Sequence, residues 1–198
     1  HYKGGFDCVA IYLRNNPESR FFSKKGLILG GSHSPSPLNS EAHQGDLSAV
    51  LLQNLNPLVN LIRVPKKPII LMDEWESKIK AIVENTWNKD VNSLSGVPSW
   101  MLVLIKAVLK KTGREYLTDV WPNLEVFFHG GISFEPYREQ YKTLIPSNKM
   151  HYMETYNASE GFFGLQDDPT DPSLLMMPDY GIFYEFIPMN EVGSAHPT

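Results

Sequence analysis

The segment with the richest set of reactive side chains runs from Glu154 to Gly161 and reads Glu-Thr-Tyr-Asn-Ala-Ser-Glu-Gly. Tyr156 offers an aromatic face on which a nucleobase can stack, a contact worth roughly 1–3 kcal/mol. Glu160 supplies a carboxylate, which is the kind of oxygen ligand that Mg²⁺ prefers. Ser159 and Glu160 can equally begin a helix, because the helix dipole stabilises an acid in the first turn. The residues alone leave both interpretations open.

A pair of glycines, Gly130 and Gly131, follows an apolar run from which it is separated by His129 alone. Paired glycines allow a flat ligand to approach the main chain, and they also suit a tight turn between a strand and a helix. In an open α/β sheet, ligands bind beyond the carboxyl ends of the strands. A binding site built from the glycine pair and from 154–161 therefore requires that both segments end strands of one sheet.

The pattern of apolar residues predicts such a sheet. Strands are predicted at 27–29, 68–72, 91–95, 124–128 and 150–154, with a turn at 155–161. Helices are predicted after the caps Asp7, Asp46 and Asp73, from Pro98 to Gly113, and from 134 to 145. The apolar runs 174–177 and 180–187 predict a hairpin. The alternation predicts one α/β unit over 1–198, with a largely parallel, helix-covered sheet and an antiparallel hairpin near the carboxyl terminus.

Composition excludes several classes of partner. The 198 residues carry a formal net charge of −4 without long runs of like charge, so we expect no binding to nucleic acid or to an anionic membrane. No apolar run reaches the ~20 residues that a membrane-spanning helix needs. The single cysteine, Cys8, cannot form an internal disulfide, which favours a cytoplasmic location. Neither a G-x-S-x-G nor a P-loop lysine motif occurs.

Four segments occur in an order that resembles the middle of the adenylate-forming ligases, the superfamily of acyl-CoA synthetases and firefly luciferase. They are Ile70-Leu71-Met72, Gly96-Val97-Pro98-Ser99, Phe128-His129-Gly130-Gly131 and Tyr156-Asn157-Ala158-Ser159-Glu160. The amino-acid sequence at 120–124, 129–131 and 154–164 is more similar to one branch, the auxin-responsive acyl-acid amido synthetases in their bacterial form. The resemblance extends over essentially the whole chain.

The resemblance implies a reaction in two steps. A carboxylic acid attacks the α-phosphate of ATP bound with Mg²⁺, and the acyl-adenylate then gives its acyl group to an amine, typically that of an amino acid. By likeness, Tyr156 stacks on adenine and Glu160 holds Mg²⁺. Gly130 and Gly131 line the nucleotide through their main chain. The segment from Thr155 through Asn157 to Ser159 forms its wall.

By likeness, the helix that follows Val97 and Pro98 lines the acyl pocket, with Trp100 and Met101 as candidate contacts. The family's Ser/Thr/Gly-rich phosphate loop and its Gly-Asp ribose segment are not found in the sequence. We therefore expect a central fragment of the large amino-terminal domain, without the lid domain and with negligible turnover by itself. Two alternatives stay open: a non-catalytic nucleotide- or partner-binding module of the same fold, and a ligase that uses coenzyme A as the acceptor.

Overall fold

The computed structural model describes residues 1–35 and 43–193. The strands in these ranges are β1 (Lys25–Leu29), β2 (His33–Pro35), β3 (His43–Gly45), β4 (Arg63–Val64), β5 (Val91–Gly96), β6 (Val126–Gly130), β7 (His151–Ala158), β8 (Gly161–Leu165) and β9 (Leu175–Met176). The α-helices are α1 (Tyr2–Asn15), α2 (Leu47–Gln53), α3 (Val59–Ile62), α4 (Lys67–Ile70), α5 (Trp75–Thr86), α6 (Pro98–Thr112), α7 (Leu117–Val120) and α8 (Arg138–Leu144). None of the helices in the described part of the chain is long and apolar enough to cross a membrane.

Within the described ranges, seven strands form one sheet in the order β4-β1-β5-β6-β7-β8-β9. The pairs from β4 to β7 are parallel, whereas β7–β8 and β8–β9 are antiparallel. The predicted α/β class, with a mostly parallel sheet and an antiparallel addition near the carboxyl terminus, is confirmed. Because the parallel strands share a direction, the loops after β1, β5, β6 and β7 all leave from one edge of the sheet, called here the carboxyl edge.

Helices cover both faces of the sheet. On one face a buried row crosses β1, β5 and β6 through Leu27, Leu94 and Phe127, and α5 and α6 pack over it. On the other face, α1 places Tyr12 against Met153 of β7 and Cys8 against β8. Burial of each large apolar side chain stabilises the folded state by about 1.5–3 kcal/mol. The two layers of helices therefore hold the sheet, and with it the carboxyl edge, in place.

Helix α6 agrees closely with its prediction. Pro98 occupies the first turn, where its missing N–H is tolerated, and Gly113 ends the helix in the left-handed conformation at φ 65°. Helix α5 is also confirmed, but its amino-terminal cap is Glu74 rather than Asp73. Helix α1 begins at Tyr2, so Asp7 lies inside the helix and not at its cap.

Predictions for three further segments, 68–72, 47–55 and 174–187, are also wrong. The segment 68–72 is not a strand, because Pro68 lies in the first turn of the short helix α4, a position that suits its fixed φ. Helical spacing after Asp46 predicts an inward face of Leu47, Val50, Leu51 and Leu55, but helix α2 buries Ala49 and Leu52, and Leu52 lies against Gly30. The runs 174–177 and 180–187 do not pair. The first run contributes β9, which pairs with β8, whereas in the later run Ile182 lies against Gly161 and Tyr184 packs edge-on against Phe163.

Substitutions at two adjacent glycines of α1 test how tightly that helix packs on the hairpin of β7 and β8. A Cβ atom at Gly4 would lie 2.4 Å from the Phe162 ring, whereas a Cβ atom at Gly5 would meet nothing within 4 Å. We predict that Gly4→Ala lowers the free energy of unfolding by about 1–3 kcal/mol through overpacking. Gly5→Ala raises it by about 0.5–1 kcal/mol through helix propensity. Urea denaturation measures both, and equal effects of the two changes would contradict the packing described.

Candidate functional site

The segment that contains most of the predicted nucleotide residues is a hairpin rather than a turn. Strand β7 continues through Thr155 to Ala158 because β8 supplies its partners, with Tyr156 opposite Gly164 and Ala158 opposite Gly161. The predicted turn at 155–161 is therefore wrong in extent. Only Ser159 and Glu160 turn the chain, and they begin no helix. The ladder shifts register between Tyr156 and Asn157, which marks a bulge near the tip.

Gly130 lies directly beside Thr155 in the parallel pair of β6 and β7. A Cβ atom at Gly130 would lie 2.3 Å from the Thr155 carbonyl oxygen, so no larger residue fits without moving the backbone. The Thr155 hydroxyl donates a hydrogen bond of 3.1 Å to the His129 carbonyl and fastens the two strands at their carboxyl ends. The close approach of two backbones is thus sufficient reason for the first glycine of the pair.

Gly131 has φ 82°, in the left-handed region that favours glycine. Its α-carbon faces Val97, whose Cγ2 would be 3.5 Å from an added Cβ atom. On the other side, a Cβ atom at Gly96 would lie 2.7 Å from the Leu29 carbonyl oxygen. Glycines therefore allow the ends of β1, β5 and β6 to lie close together, and their main chains line the carboxyl edge.

The two side chains expected to contact ATP and Mg²⁺ are both exposed. The ring of Tyr156 is 56% exposed and contacts only one described ring, that of Phe163, at 5.1 Å between centroids. Glu160 is exposed at the hairpin tip and forms no ion pair with any described residue. Ala158 lies three residues beyond Thr155, about 10 Å at the usual rise of a strand, so the tip extends past the carboxyl edge.

Two more residues predicted to line the nucleotide lie between Tyr156 and Glu160 in the sequence. Asn157 is partly buried opposite Phe162, and Ser159 is exposed in the turn. In the described ranges, no group of three or more His, Cys, Asp or Glu side chains could hold a metal ion by itself. Mg²⁺ does not need such a group in a nucleotide site, because one or two carboxylates together with phosphate oxygens and water complete its coordination.

The residues predicted for the acyl pocket divide into two kinds. Met101 is fully buried in the hydrophobic core, and Pro98 is buried with its carbonyl accepting a hydrogen bond of 2.8 Å from the Tyr141 hydroxyl. Val97 and Trp100 are partly buried, and Trp100 packs edge-on against Trp75. Of the four, Val97 lies nearest to the carboxyl edge, because it contacts Gly131.

One buried cation, Lys78, is not among the residues predicted from the sequence. Lys78 is 2% exposed, and its Nζ donates hydrogen bonds of 2.8 and 2.9 Å to the carbonyls of Gly30 and Gly31, in the loop after β1. Burial lowers the pKa of the Lys78 ammonium, and the nearby negative charges of Asp46 and Asp73 oppose that shift. Its position gives a signal in the sequence, because Lys78 lies four residues before Ile82 on the apolar stripe of α5.

His129, immediately before the glycine pair, is buried and uncharged. Its ring stacks on Phe134 at 4.3 Å between centroids. Burial, with a smaller contribution from the positive charge of Arg138, lowers the pKa of the imidazole to about 3. The His129 side chain therefore belongs to an aromatic layer beneath the glycines, and it carries no charge at neutral pH.

Comparison with protein families identifies one match. The model of the GH3 family N-terminal domain matches residues 1–150. The match includes the loops at Gly96 and at Gly130, and it ends before Thr155. No curated protein matches the chain.

The environment of His129 predicts a particular dependence of stability on pH. The folded protein keeps the imidazole neutral down to about pH 3, whereas the unfolded chain binds a proton below about pH 6.5. The contribution of His129 is therefore complete above pH 6.5 and is lost as the pH falls towards 3, at about 1.4 kcal/mol per pH unit. An NMR titration of the imidazole tests this prediction. A midpoint near 6.5 in the folded protein would contradict the burial described.

Proposed function

This chain belongs to the GH3 family, and on that premise we propose that it supplies the adenine- and Mg²⁺-binding groups of a synthetase that activates a carboxylic acid with ATP and transfers the acyl group to an amine. The observation that carries the proposal is the arrangement of β6 and β7. Their parallel pairing places Gly130 beside Thr155 at the carboxyl edge, with the exposed Tyr156 and Glu160 just beyond. Ligands of open α/β sheets bind at this edge.

The proposed reaction has two group transfers. A carboxylate oxygen attacks the α-phosphorus of ATP, which forms an acyl-adenylate and releases pyrophosphate. The nitrogen of an amine, such as that of an amino acid, then attacks the acyl carbon, loses a proton and releases AMP, so that an amide is formed. GH3 membership favours this acyl-acid amido synthetase chemistry in general. The amino-acid sequence at 154–164 supports assignment to the bacterial branch of these synthetases.

In this proposal the adenine of ATP stacks on the exposed face of Tyr156. The main chain of Gly130 and Gly131 lines the nucleotide on one side, and the strand from Thr155 to Asn157 and the turn residue Ser159 line it on the other. The left-handed Gly131 supports this role, because the residue is exposed and has no side chain of its own to keep a ligand from its main chain. Val97, the cap of α6, and Trp100 in its first turn border the acyl group, whereas Pro98 and Met101 are buried and support this end of the helix from the core.

Glu160 has the properties required of a Mg²⁺ ligand, since its carboxylate is exposed and no described cation pairs with it. When bound there, Mg²⁺ would neutralise phosphate charge and reduce repulsion of the attacking carboxylate, an effect of several kcal/mol. We place the reaction in the cytoplasm, because ATP is abundant there and the one cysteine is buried without a disulfide. The match to an N-terminal domain supports assignment to the adenylating part of a synthetase.

Nucleotide binding is the sharpest test, because the residues proposed here hold adenine and Mg²⁺. We predict saturable ATP binding by calorimetry that is strengthened by Mg²⁺. Tyr156→Ala weakens it roughly 5- to 150-fold, the equivalent of one lost stacking contact. Glu160→Gln removes the enhancement by Mg²⁺ and leaves Mg²⁺-free binding unchanged. Glu18→Gln is the matched control, because Glu18 is an exposed acid whose neighbour Ser19 donates a hydrogen bond to Glu125, just before the amino end of β6.

Other outcomes separate the alternatives. If Glu160→Gln responds to Mg²⁺ as the wild type does, the hairpin carboxylate is not a Mg²⁺ ligand, and a non-catalytic binding module is favoured. If the wild type binds no ATP while circular dichroism shows a folded protein, the proposal fails. For the intact synthetase, coenzyme A in place of an amine as the acceptor is distinguished by whether a thioester or an amide is formed.

A further inference from the structure

The ring of Tyr156 is mostly exposed, yet one aromatic side chain of β8 supports it. Gly164, the residue directly opposite Tyr156 in the ladder, has no side chain that could touch the ring. The support comes instead from Phe163, whose ring centroid lies 5.1 Å from that of Tyr156 at an interplanar angle of 36°. The orientation of the Tyr156 ring therefore depends on Phe163 and not on the residue with which Tyr156 is paired.

The register shift between β7 and β8 creates this contact. Tyr156 pairs with Gly164, but the next residue, Asn157, pairs with Phe162 and skips Phe163. In an unshifted ladder Phe163 would pair with Asn157 and would lie on the face of the sheet opposite to Tyr156, because successive side chains of a strand alternate between faces. Bulges redirect side chains and are frequent beside active sites. Here the bulge brings the Phe163 ring to Tyr156.

Phe163 is itself held by the segment that follows β9. Its carbonyl accepts a hydrogen bond of 2.9 Å from the main-chain N–H of Met177. The Tyr184 hydroxyl donates to the Met177 carbonyl at 3.4 Å, and the Tyr184 ring packs edge-on against Phe163 at 6.3 Å between centroids. Phe163 is also partly buried. These contacts fix the Phe163 ring, which in turn restrains the ring of Tyr156.

A stacking residue binds a base more tightly when its ring is already oriented, because a free ring loses conformational freedom on binding. Resting on the proposed stacking of adenine on Tyr156, we propose that Phe163 is a positioning residue of the nucleotide site. It holds the Tyr156 ring at one angle and leaves the exposed face of that ring for the base. Phe163 acts through Tyr156 and not by contact with the nucleotide.

A double-mutant cycle, measured by calorimetry with ATP and Mg²⁺, tests this role. Phe163→Leu keeps an apolar side chain but removes the ring, and we expect it to weaken ATP binding about 2- to 12-fold, the equivalent of one aromatic pair. Phe163→Tyr keeps the ring and binds as the wild type does. In the Tyr156→Ala background, Phe163→Leu has no further effect, because no ring is left to orient.

Inorganic tripolyphosphate with Mg²⁺ separates positioning of one ring from support of the whole hairpin. This probe has no base, so Phe163→Leu leaves its binding unchanged, and it also leaves the enhancement by Mg²⁺ through Glu160 unchanged. Phe22→Leu is the matched control, because it removes an exposed ring from the short 3-10 helix that precedes β1, at the amino edge of the sheet. This control binds both probes as the wild type does.

Two kinds of failure are distinguishable. Unchanged ATP binding by Phe163→Leu, an equal loss in the Tyr156→Ala background, or a parallel loss of tripolyphosphate binding overturns this inference and leaves the proposed function intact. A folded wild type that binds no ATP overturns the proposed function, and the inference fails with it. Aromatic NOE contacts between the rings of Tyr156 and Phe163 test the contact in the unsubstituted chain. Their absence overturns the inference even if Phe163→Leu does not fold.

Discussion

The contact between the ends of β6 and β7 is the constraint on which the rest of the structure depends. The backbones approach so closely at Gly130 and Thr155 that a methyl group at position 130 would meet the neighbouring carbonyl oxygen at 2.3 Å. This approach sets the register of the last parallel pair. It thereby determines which residues of β7 lie beside the glycines and which extend beyond the sheet in the hairpin with β8.

A second constraint acts on the opposite side of the carboxyl edge. Burial of the Lys78 ammonium is costly unless its protons are hydrogen-bonded, and the carbonyls of Gly30 and Gly31 meet that requirement. A further hydrogen bond holds the same loop, because the main-chain N–H of Gly31 donates to the Ser48 hydroxyl. The edge therefore combines rigid glycine loops after β1, β5 and β6 with an exposed hairpin tip after β7. A flat ligand can reach main chain on one side and an exposed ring on the other.

The sequence predicts the parts of this architecture that local chemistry determines. Helix α6 is specified by Pro98 and Gly113, and strand β1 by the apolar run 27–29, so their prediction is close. The hairpin of β7 and β8 is different, because residues 155–158 resemble a turn until β8 pairs with them. The cavity lined by residues of β6, β7, α8 and the loop 166–172 is not predicted from the sequence either, because these segments meet only through tertiary packing. By contrast, the burial of Lys78 has a signal in the sequence, because the residue lies on the apolar stripe of α5.

The central claim is that the glycine pair and the hairpin tip form one nucleotide site at the carboxyl edge. Backbone NMR of the ¹⁵N-labelled chain during titration with Mg²⁺ and ATP tests it most directly. The account predicts that the largest chemical-shift changes cluster at Gly130, Gly131 and 155–160, while the amino ends of β5 and β6 stay unchanged. Changes confined to the amino edge, or changes at the glycines without changes at the hairpin, would contradict it.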